Sequence, residues 1–291
     1  MIVVKLIGGL GNQMFQYALG RHLAHINHTE LKLDISGFHD YKLHAYSLSH
    51  FNIVENFATK EEVARFQKYR RKRGKKWFLY NRLIANERKY IEAKQFHFDP
   101  RILEIKEEAY LDGYWQTEKY FKDSAHIIRK EAIVKTTLQG KDAAVAKEIE
   151  ATTSVMVHIR RGDYVTNEQT NEYHGTCGLD YYHKAIELMS EKVHNPHFFI
   201  FSDDHEWVKN NIVLEYPVTY VDHNKADKNY EDLRLMSLCK HQIIANSSFS
   251  WWGAWLNQNP EKIVIAPSRW FSKTKPNVDT KDVIPDSWIK I

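Results

Sequence analysis

Two adjacent arginines, Arg160 and Arg161, follow the apolar run 155–159. A guanidinium carries a permanent charge and a planar fork of donors, so it suits a phosphate better than a lysine does. Paired arginines near an aspartate, here Asp163, are also common as a structural ion pair on a loop. The position favours a ligand, because open α/β sheets bind ligands at the carboxyl ends of their strands. The sequence therefore predicts an anion site at residues 158–163.

A second candidate anion site lies near the start of the chain. A glycine turn at residues 8–11 separates the apolar run 2–7 from a stretch with helical spacing of apolar residues. The start of a helix offers unpaired backbone N–H groups and the positive end of a dipole. We therefore expect Gly11, Asn12 and Gln13 to bind an anion.

The same turn has a rival interpretation as a dinucleotide-binding fingerprint, because Asp34 lies where a ribose-binding acid would. In that fingerprint a third glycine lets the helix approach the strand, and here Met14 stands at its position. The large side chain argues against a nicotinamide-dependent enzyme.

A third candidate anion site follows the apolar run 241–245, which leads into Asn246, Ser247, Ser248 and Phe249 and then into a tryptophan-rich helical pattern. Hydroxyls and free N–H groups at a helix start either cap the helix or bind a phosphate. One serine is enough for capping, so the second serine favours a phosphate. We expect the tryptophans to pack in the core.

Strands alternate with helices along most of the chain, which predicts a mostly parallel sheet covered on both faces. The polar segment 136–150, rich in Ala and Lys, is the best candidate for a domain boundary. We expect an α/β protein of two Rossmann-like domains, residues 1–150 and 151–291, that face each other across a cleft. The three anion sites then predict one diphosphate held between the domains, with Arg160 and Arg161 neutralising its charge.

Composition excludes several classes of protein. A hydrophobic share of 43% and a charged share of 27% are typical of a soluble globular protein. The formal net charge of +4 is small for 291 residues and does not indicate a nucleic-acid binder. Cys177 and Cys239 form no CxxC pair, which disfavours a structural zinc site and indicates a reducing compartment. No window approaches the roughly 18 uncharged apolar residues of a membrane span, so we expect a cytoplasmic protein.

Two charged features have competing interpretations. Asp203 and Asp204 are the one plausible pair of metal ligands, but neighbours on an extended chain point to opposite sides. We therefore expect no metal. The basic run 69–76 is typical of a solvated helix face. Its functional alternative is weak contact with anionic lipid, which would place the protein at the periphery of the inner membrane.

Five segments together resemble the motifs of bacterial α-1,2-fucosyltransferases, and they lie at residues 8–18, 111–121, 158–164, 201–204 and 246–255. The match spans nearly the whole chain, and its HxRRGDY and SSFSWW segments are together quite specific. The resemblance implies a GT-B architecture, GDP-L-fucose as the donor substrate, a β-galactoside acceptor and inversion at the anomeric carbon. It also implies no cofactor and no required metal.

Resemblance to the wider group of α-1,6 and protein O-fucosyl enzymes implies roles for single residues. Arg160 would hold the β-phosphate, and Asp232 would read guanine, since a carboxylate can accept hydrogen bonds from N1–H and the exocyclic amine. The alternative for Asp232 is an ordinary acidic residue in a first helical turn. The residues predicted to bind the donor are Gly11, Asn12, Gln13, His158, Arg161, Asp232, Asn246, Ser247, Ser248 and Phe249.

For the reaction we expect a single displacement in which Arg160 stabilises the negative charge of the departing GDP. The candidates for the general base are Glu168, Asp163 and His174. Glu168 lies at the offset from His158 where the α-1,6 relatives carry an acid. A non-catalytic sugar- or nucleotide-binding protein could use the same arginines and aromatics, and it would bind GDP-fucose without transferring the sugar.

Overall fold

The computed structural model describes residues 1–40, 43–70, 90–93, 95–106, 108–162, 172, 175–272 and 278–291. The chain divides into two compact units, Met1–Ile133 and Val134–Ile291. The division lies before the boundary predicted after residue 150. The reason is that the helix Gly140–Ala151, within the segment predicted to be a linker, packs on a strand and a helix of the second unit.

The first unit is built on a parallel sheet. Its described strands lie in the order β2-β1-β4-β3, with bounds β1 Ile2–Lys5, β2 Leu31–Asp34, β3 Tyr90–Glu92 and β4 Ala109–Asp112. The helices described in this unit are α1 Leu10–Ile26, α2 Lys60–Arg70 and α3 Ala125–Glu131. Short 3-10 helices lie at Ser36–His39, Leu48–His50, Pro100–Ile102, Glu118–Tyr120 and Lys122–Ser124. The predicted βαβ unit at the start of the chain is β1-α1-β2.

The second unit is also built on a parallel sheet, in the order β10-β9-β8-β5-β6-β7 among the described strands. The strand bounds are β5 Thr153–Ile159, β6 Pro196–Ser202, β7 Val218–Val221, β8 His241–Ile243, β9 Val264–Ala266 and β10 Ile289–Lys290. The helices within its described ranges are α4 Gly140–Ala151, α5 Leu179–Lys192, α6 His205–Asn211, α7 Asn229–Leu238 and α8 Ser248–Leu256, with a 3-10 helix at Ala226–Lys228.

The central strand of the second unit is β5, which lies between β8 and β6. Its side chains are buried on both faces from Ser154 to Ile159, as expected for the apolar, β-branched strand of a covered parallel sheet. On one face Val157 packs in a core with Ile200 of β6 and Met189 of α5. The tryptophans of α8 are buried too, as predicted, and Trp251 Nε1 donates to Val283 O at 2.8 Å. A rigid layer therefore supports the carboxyl ends of β8, β5 and β6.

Helix α1 packs tightly against the first sheet at Gly20. A Cβ at this position would lie 2.9 Å from Leu31 Cδ1 and 3.2 Å from Val4 Cβ. Met14, which occupies the glycine position of a dinucleotide fingerprint, is buried instead. The close approach of helix and strand therefore occurs further along α1 than it would in a dinucleotide-binding turn.

We expect Gly20→Val to lower the free energy of unfolding by about 1–3 kcal/mol, because extra methyl groups would overpack a filled core. Chemical denaturation measures this change. Gly37→Val is the matched control, because a Cβ there meets only ordinary contacts at 3.8 Å and beyond, and surface changes usually stay within about 0.5 kcal/mol. Equal stability of the two variants would contradict the packing argument.

Candidate functional site

The carboxyl end of β5 carries the arginine pair, and the end of the neighbouring β6 supplies a carboxylate for it. Arg160 Nη1 lies 2.8 Å from Asp203 Oδ2. The other oxygen, Asp203 Oδ1, accepts hydrogen bonds from the backbone N–H groups of Arg161 at 2.8 Å and Gly162 at 3.0 Å. A Cβ on Gly162 would lie only 2.6 Å from Asp203 Oδ2. Asp203 therefore shapes the turn that presents Arg160. From the sequence, Asp203 is considered only as a metal ligand and that role is rejected, so its role at this turn was not predicted.

Arg161 is held by a separate set of contacts. Its Nε lies 3.1 Å from Asp204 Oδ2, and its Cζ lies 3.7 Å from the centre of the Trp207 ring. Asp204 also caps α6, because its Oδ1 accepts from Trp207 N at 3.2 Å. The side chain of Arg160 remains 27% exposed, against 18% for Arg161. Arg160 is therefore the more accessible guanidinium of the pair.

His158 lies one residue before the end of β5 and is 4% exposed. Burial lowers the pKa of its imidazole well below the ordinary value, and the positive charge of Arg160 lowers this pKa further while Asp203 opposes the change. The ring is therefore neutral at physiological pH. Its Nδ1 has no hydrogen-bond partner among the described residues. A buried polar atom without a partner costs free energy, so a ligand that supplied a partner would be favoured here.

The start of α8 lies beside this strand end, because β8 and β5 are parallel neighbours. Ser247 is the N-cap, and its hydroxyl accepts a hydrogen bond from Phe249 N at 3.3 Å. Ser248 is the first helical residue and is half-buried. The rings of Phe249 and His158 lie 5.7 Å apart between centroids. The structure thus brings the predicted residues of the second unit from β5 and α8 to one edge of the sheet.

Asn246 has a structural role, and its predicted contact with a donor stays a prediction. It is 4% exposed, and its Nδ2 donates to Gly175 O at 3.1 Å and to Trp270 O at 3.2 Å. Its Oδ1 accepts from Cys177 Sγ at 3.4 Å. Asn246 therefore ties two loops to the end of β8.

Gln13 has a similar structural role at the start of α1. The side chain is fully buried, and its Nε2 donates to Gly8 O at 2.8 Å and to Ala45 O at 2.9 Å. Its Oε1 accepts from Ser47 N at 2.9 Å. Gln13 therefore holds the glycine turn in place. Its predicted neighbours Gly11 and Asn12 lie in the first turn of the helix, and Asn12 is half-buried.

Asp232 lies in the first turn of α7 and is half-buried. Its Oδ1 accepts from Asn224 Nδ2 at 2.9 Å, and the same amide nitrogen donates to Asp142 Oδ1 at 2.8 Å. His223 Nε2 lies 2.8 Å from that oxygen of Asp142. Burial raises the pKa of Asp232 to about 7, although the hydrogen bond from Asn224 and the nearby His223 act in the opposite direction. The sequence contained no signal for Asn224 or Asp142, because they come from two separate segments.

Several predicted features lie outside the described residues. They include the candidate bases Asp163, Glu168 and His174, and most of the basic run 69–76. Within the described ranges, no group of three or more His, Cys, Asp or Glu side chains is arranged to hold a metal ion. The helices of those ranges include none with the length and apolar character needed to cross a membrane.

Comparison with known sequences gives matches over the full length. The sequence model of the family described as Glycosyl transferase family 11 matches residues 1–291. The Alpha-1,2-colitosyltransferase of Escherichia coli is 36% identical over an alignment of 302 positions, gaps included, that covers 100% of this chain and 99% of that protein. The O-antigen biosynthesis glycosyltransferase WbnK of Escherichia coli is 33% identical and covers 98% of this chain and 99% of its own length. Human galactoside alpha-(1,2)-fucosyltransferase 1 is 30% identical over 106 residues, 36% of this chain and 29% of that protein.

Comparison with solved structures identifies the fold. The fucosyltransferase NodZ from Bradyrhizobium has a TM-score of 0.50 at 13% identity and covers 87% of this chain and 91% of its own. A mutant of Arabidopsis thaliana FUT1 in complex with GDP has a TM-score of 0.53 at 13% identity, with coverage of 90% and 69%. These neighbours are GT-B fucosyltransferases, and the predicted α/β fold of the GT-B type is confirmed.

The raised pKa of Asp232 has a consequence for stability. An Asp in the unfolded chain loses its proton near pH 3.8, whereas folded Asp232 loses it near pH 7. The stability present below pH 3.8 is therefore lost as the pH rises through 7. We expect Asp232→Asn to be more stable than the unmutated chain at pH 8 and to differ little at pH 4, as measured by denaturant unfolding at both values.

Asp222→Asn is the control, because the contribution of Asp222 to stability changes with pH in the opposite direction. The hydrogen bond from Lys209 lowers the pKa of Asp222, so its contribution is present at high pH and is lost on acidification. A destabilised Asp232→Asn at pH 8 would show that this carboxyl is ionised without penalty in the folded chain.

Proposed function

We propose that this chain, which belongs to glycosyl transferase family 11, is an inverting fucosyltransferase that moves L-fucose from GDP-L-fucose to the 2-hydroxyl of a terminal β-galactoside without a metal ion. The observation that carries the proposal is the meeting of Arg160, buried neutral His158 and the start of α8 at one edge of the second sheet. Full-length relatives whose names describe glycosyl transfer support it.

Arg160 would stabilise the leaving group. When the bond between fucose and GDP breaks, negative charge grows on the β-phosphate, and a guanidinium already held in place meets that charge without reorganisation. The ion pair with Asp203 at 2.8 Å fixes the guanidinium, while 27% of the side chain stays exposed. Since a guanidinium has five N–H donors, it can bind a carboxylate and a phosphate together. Asp203 thereby orients Arg160 and offsets its positive charge.

His158 and the start of α8 would hold the rest of the diphosphate region. A neutral imidazole can carry its proton on Nδ1 and donate it to a donor oxygen, which would give this buried nitrogen the partner that the described residues do not supply. Ser248 and the dipole of α8 add a hydroxyl and a partial positive charge at the same edge. Binding would thus depend on several short-range contacts and not on a large net charge.

Asp232 would read the base. An ionised carboxylate can accept both the N1–H and the exocyclic N–H of guanine, whereas adenine lacks this pair of donors. The hydrogen bond from Asn224 holds Asp232 Oδ1 in place. For the acceptor hydroxyl we propose Glu168 or Asp163 as the general base, with His174 as the third candidate, because all three lie in the sequence between the end of β5 and the start of α5.

The test is a transfer assay with GDP-fucose and lactose in EDTA, followed by NMR of the anomeric protons. We expect a new α-fucosyl signal, because arginine and not a metal would balance the charge. If GDP-fucose binds but no signal appears, the chain is a non-catalytic binding protein. A requirement for added Mn²⁺ would contradict the arginine mechanism.

Colitose is a second candidate for the donor sugar, because a relative that covers this whole chain is named as an Alpha-1,2-colitosyltransferase. Colitose differs from fucose by the absence of the 3-hydroxyl. A site that hydrogen-bonds this hydroxyl rejects an analogue without it by roughly 10⁴-fold, whereas an apolar site discriminates weakly. Comparing kcat/KM for GDP-fucose and GDP-colitose in the same assay therefore identifies the donor.

We expect Arg160→Ala to lower kcat by about 10²- to 10³-fold, which is the usual cost of losing a contact that strengthens in the transition state. Arg160→Lys keeps the charge but loses the fork of donors, so its kcat should lie between those of Arg160→Ala and the unmutated chain. The control is Arg101→Ala, because Arg101 forms an exposed pair with Asp99 far from this strand end in sequence. Wild-type kcat in Arg160→Ala would remove Arg160 from the mechanism.

A further inference from the structure

The loop that follows β4 contains a strained residue. Trp115 has a φ of +54°, a left-handed conformation that is rare for a bulky side chain. Its ring is buried and lies edge-on to Tyr120, with 5.7 Å between ring centroids. The backbone is tight at this point, because Thr117 N donates to Trp115 O at 2.8 Å. Packing therefore maintains a loop conformation that the local sequence would not adopt alone.

The next residue, Gln116, contacts the start of α1. β1 and β4 are parallel neighbours, so the loops that follow them lie at the same edge of the first sheet. Gln116 is 7% exposed, and its Nε2 donates a hydrogen bond to Asn12 Oδ1 at 2.7 Å. The strained loop thus connects a buried amide to Asn12, which the sequence predicts to bind the donor.

The glycine turn fixes the other side of the Asn12 carboxamide. Gly8 has a φ of +78°, and a Cβ at this position would lie 2.7 Å from Asn12 Nδ2. The amide nitrogen therefore lies against the turn, where only a glycine leaves room for it. With its oxygen engaged by Gln116, the carboxamide can offer an anion its N–H₂ group.

We infer that Gln116 is a positioning residue that orients the Asn12 carboxamide so that its N–H₂ group donates hydrogen bonds to the sugar nucleotide. The inference rests on the proposed function, because it requires Asn12 to contact the donor. Without the hydrogen bond from Gln116, the carboxamide can rotate by half a turn and present its oxygen, which would repel a phosphate oxygen. Gln116 would then act on the donor only through Asn12.

A double-mutant cycle tests this dependence. The variants are Gln116→Met, Asn12→Ala and the two together, each assayed for transfer with varied GDP-fucose and then with varied lactose. We expect Gln116→Met to raise the KM for GDP-fucose by about tenfold, the size of one hydrogen bond to a charged group, and to leave the KM for lactose unchanged. We expect the double variant to have the same KM for GDP-fucose as Asn12→Ala, because the effects of two substitutions that act through one contact do not add.

A second variant, Gln116→Glu, keeps the size of the side chain but can only accept a hydrogen bond when ionised. It would attract Asn12 Nδ2 and reverse the carboxamide, so we expect a larger rise in the KM for GDP-fucose than in Gln116→Met. If Gln116→Met does not fold, Gln116→Glu replaces it in the cycle. Gln67→Met, on the exposed face of α2, is the control for the substitution itself.

Two results would overturn the role of Gln116. One is a wild-type KM for GDP-fucose in both Gln116 variants. The other is a double variant whose fold-increase in this KM is the product of the fold-increases in the two single variants. Failure of the proposed function looks different, because the unmutated chain would then form no fucosylated product in the same assay. That result would overturn this inference together with the function on which it rests.

Discussion

The arrangement at the edge of the second sheet depends on the carboxylate of Asp203. It pairs with the Arg160 guanidinium and accepts two backbone N–H groups of the turn that follows β5. The turn is so close to this carboxylate that Gly162 has no room for a side chain. Since Asp204 similarly balances Arg161, the two arginines and two aspartates described at this edge carry no net charge. A phosphate would therefore be selected by the geometry of donors and not by a large positive potential.

Parallel topology explains why such distant stretches meet. β5 lies between β8 and β6, so the residues that end these three strands lie at one edge. That edge receives His158 and the arginines from β5, Asp203 from β6, and the Ser247 cap of α8 after β8. The helices and the buried aromatic layer beneath it keep this edge rigid. A rigid support matters, because the cost of ordering a catalytic group during the reaction would offset most of its stabilisation of the transition state.

Polar residues near strand ends can bind a ligand or can bind backbone groups of neighbouring loops, and a sequence does not distinguish the two roles. Gln13 and Asn246 stand in motifs that resemble donor-binding segments, yet both are buried and bind backbone groups of neighbouring loops. Gln116 lies in the motif segment 111–121 but was not predicted to have a role at the site, and it donates directly to Asn12. Buried backbone groups need partners as much as a ligand does, so amide side chains near turns are used for either purpose. Only their burial and their partners distinguish the two uses.

Much of the fold was accessible from the sequence itself. The β-branched apolar runs specify strands such as β5 and β7, and helical periodicity between them implies parallel sheets, because both patterns reflect burial that is local along the chain. The motif residues at 158–161 and 247–249 were identifiable because they stand at or directly after the ends of such apolar runs. The tertiary structure alone decided that Asp203 anchors Arg160, that Asn224 joins Asp142 to Asp232, and that α4 belongs to the second unit. These are contacts between segments far apart in sequence, and no local pattern encodes which distant side chain will fill a given space or satisfy a given hydrogen bond.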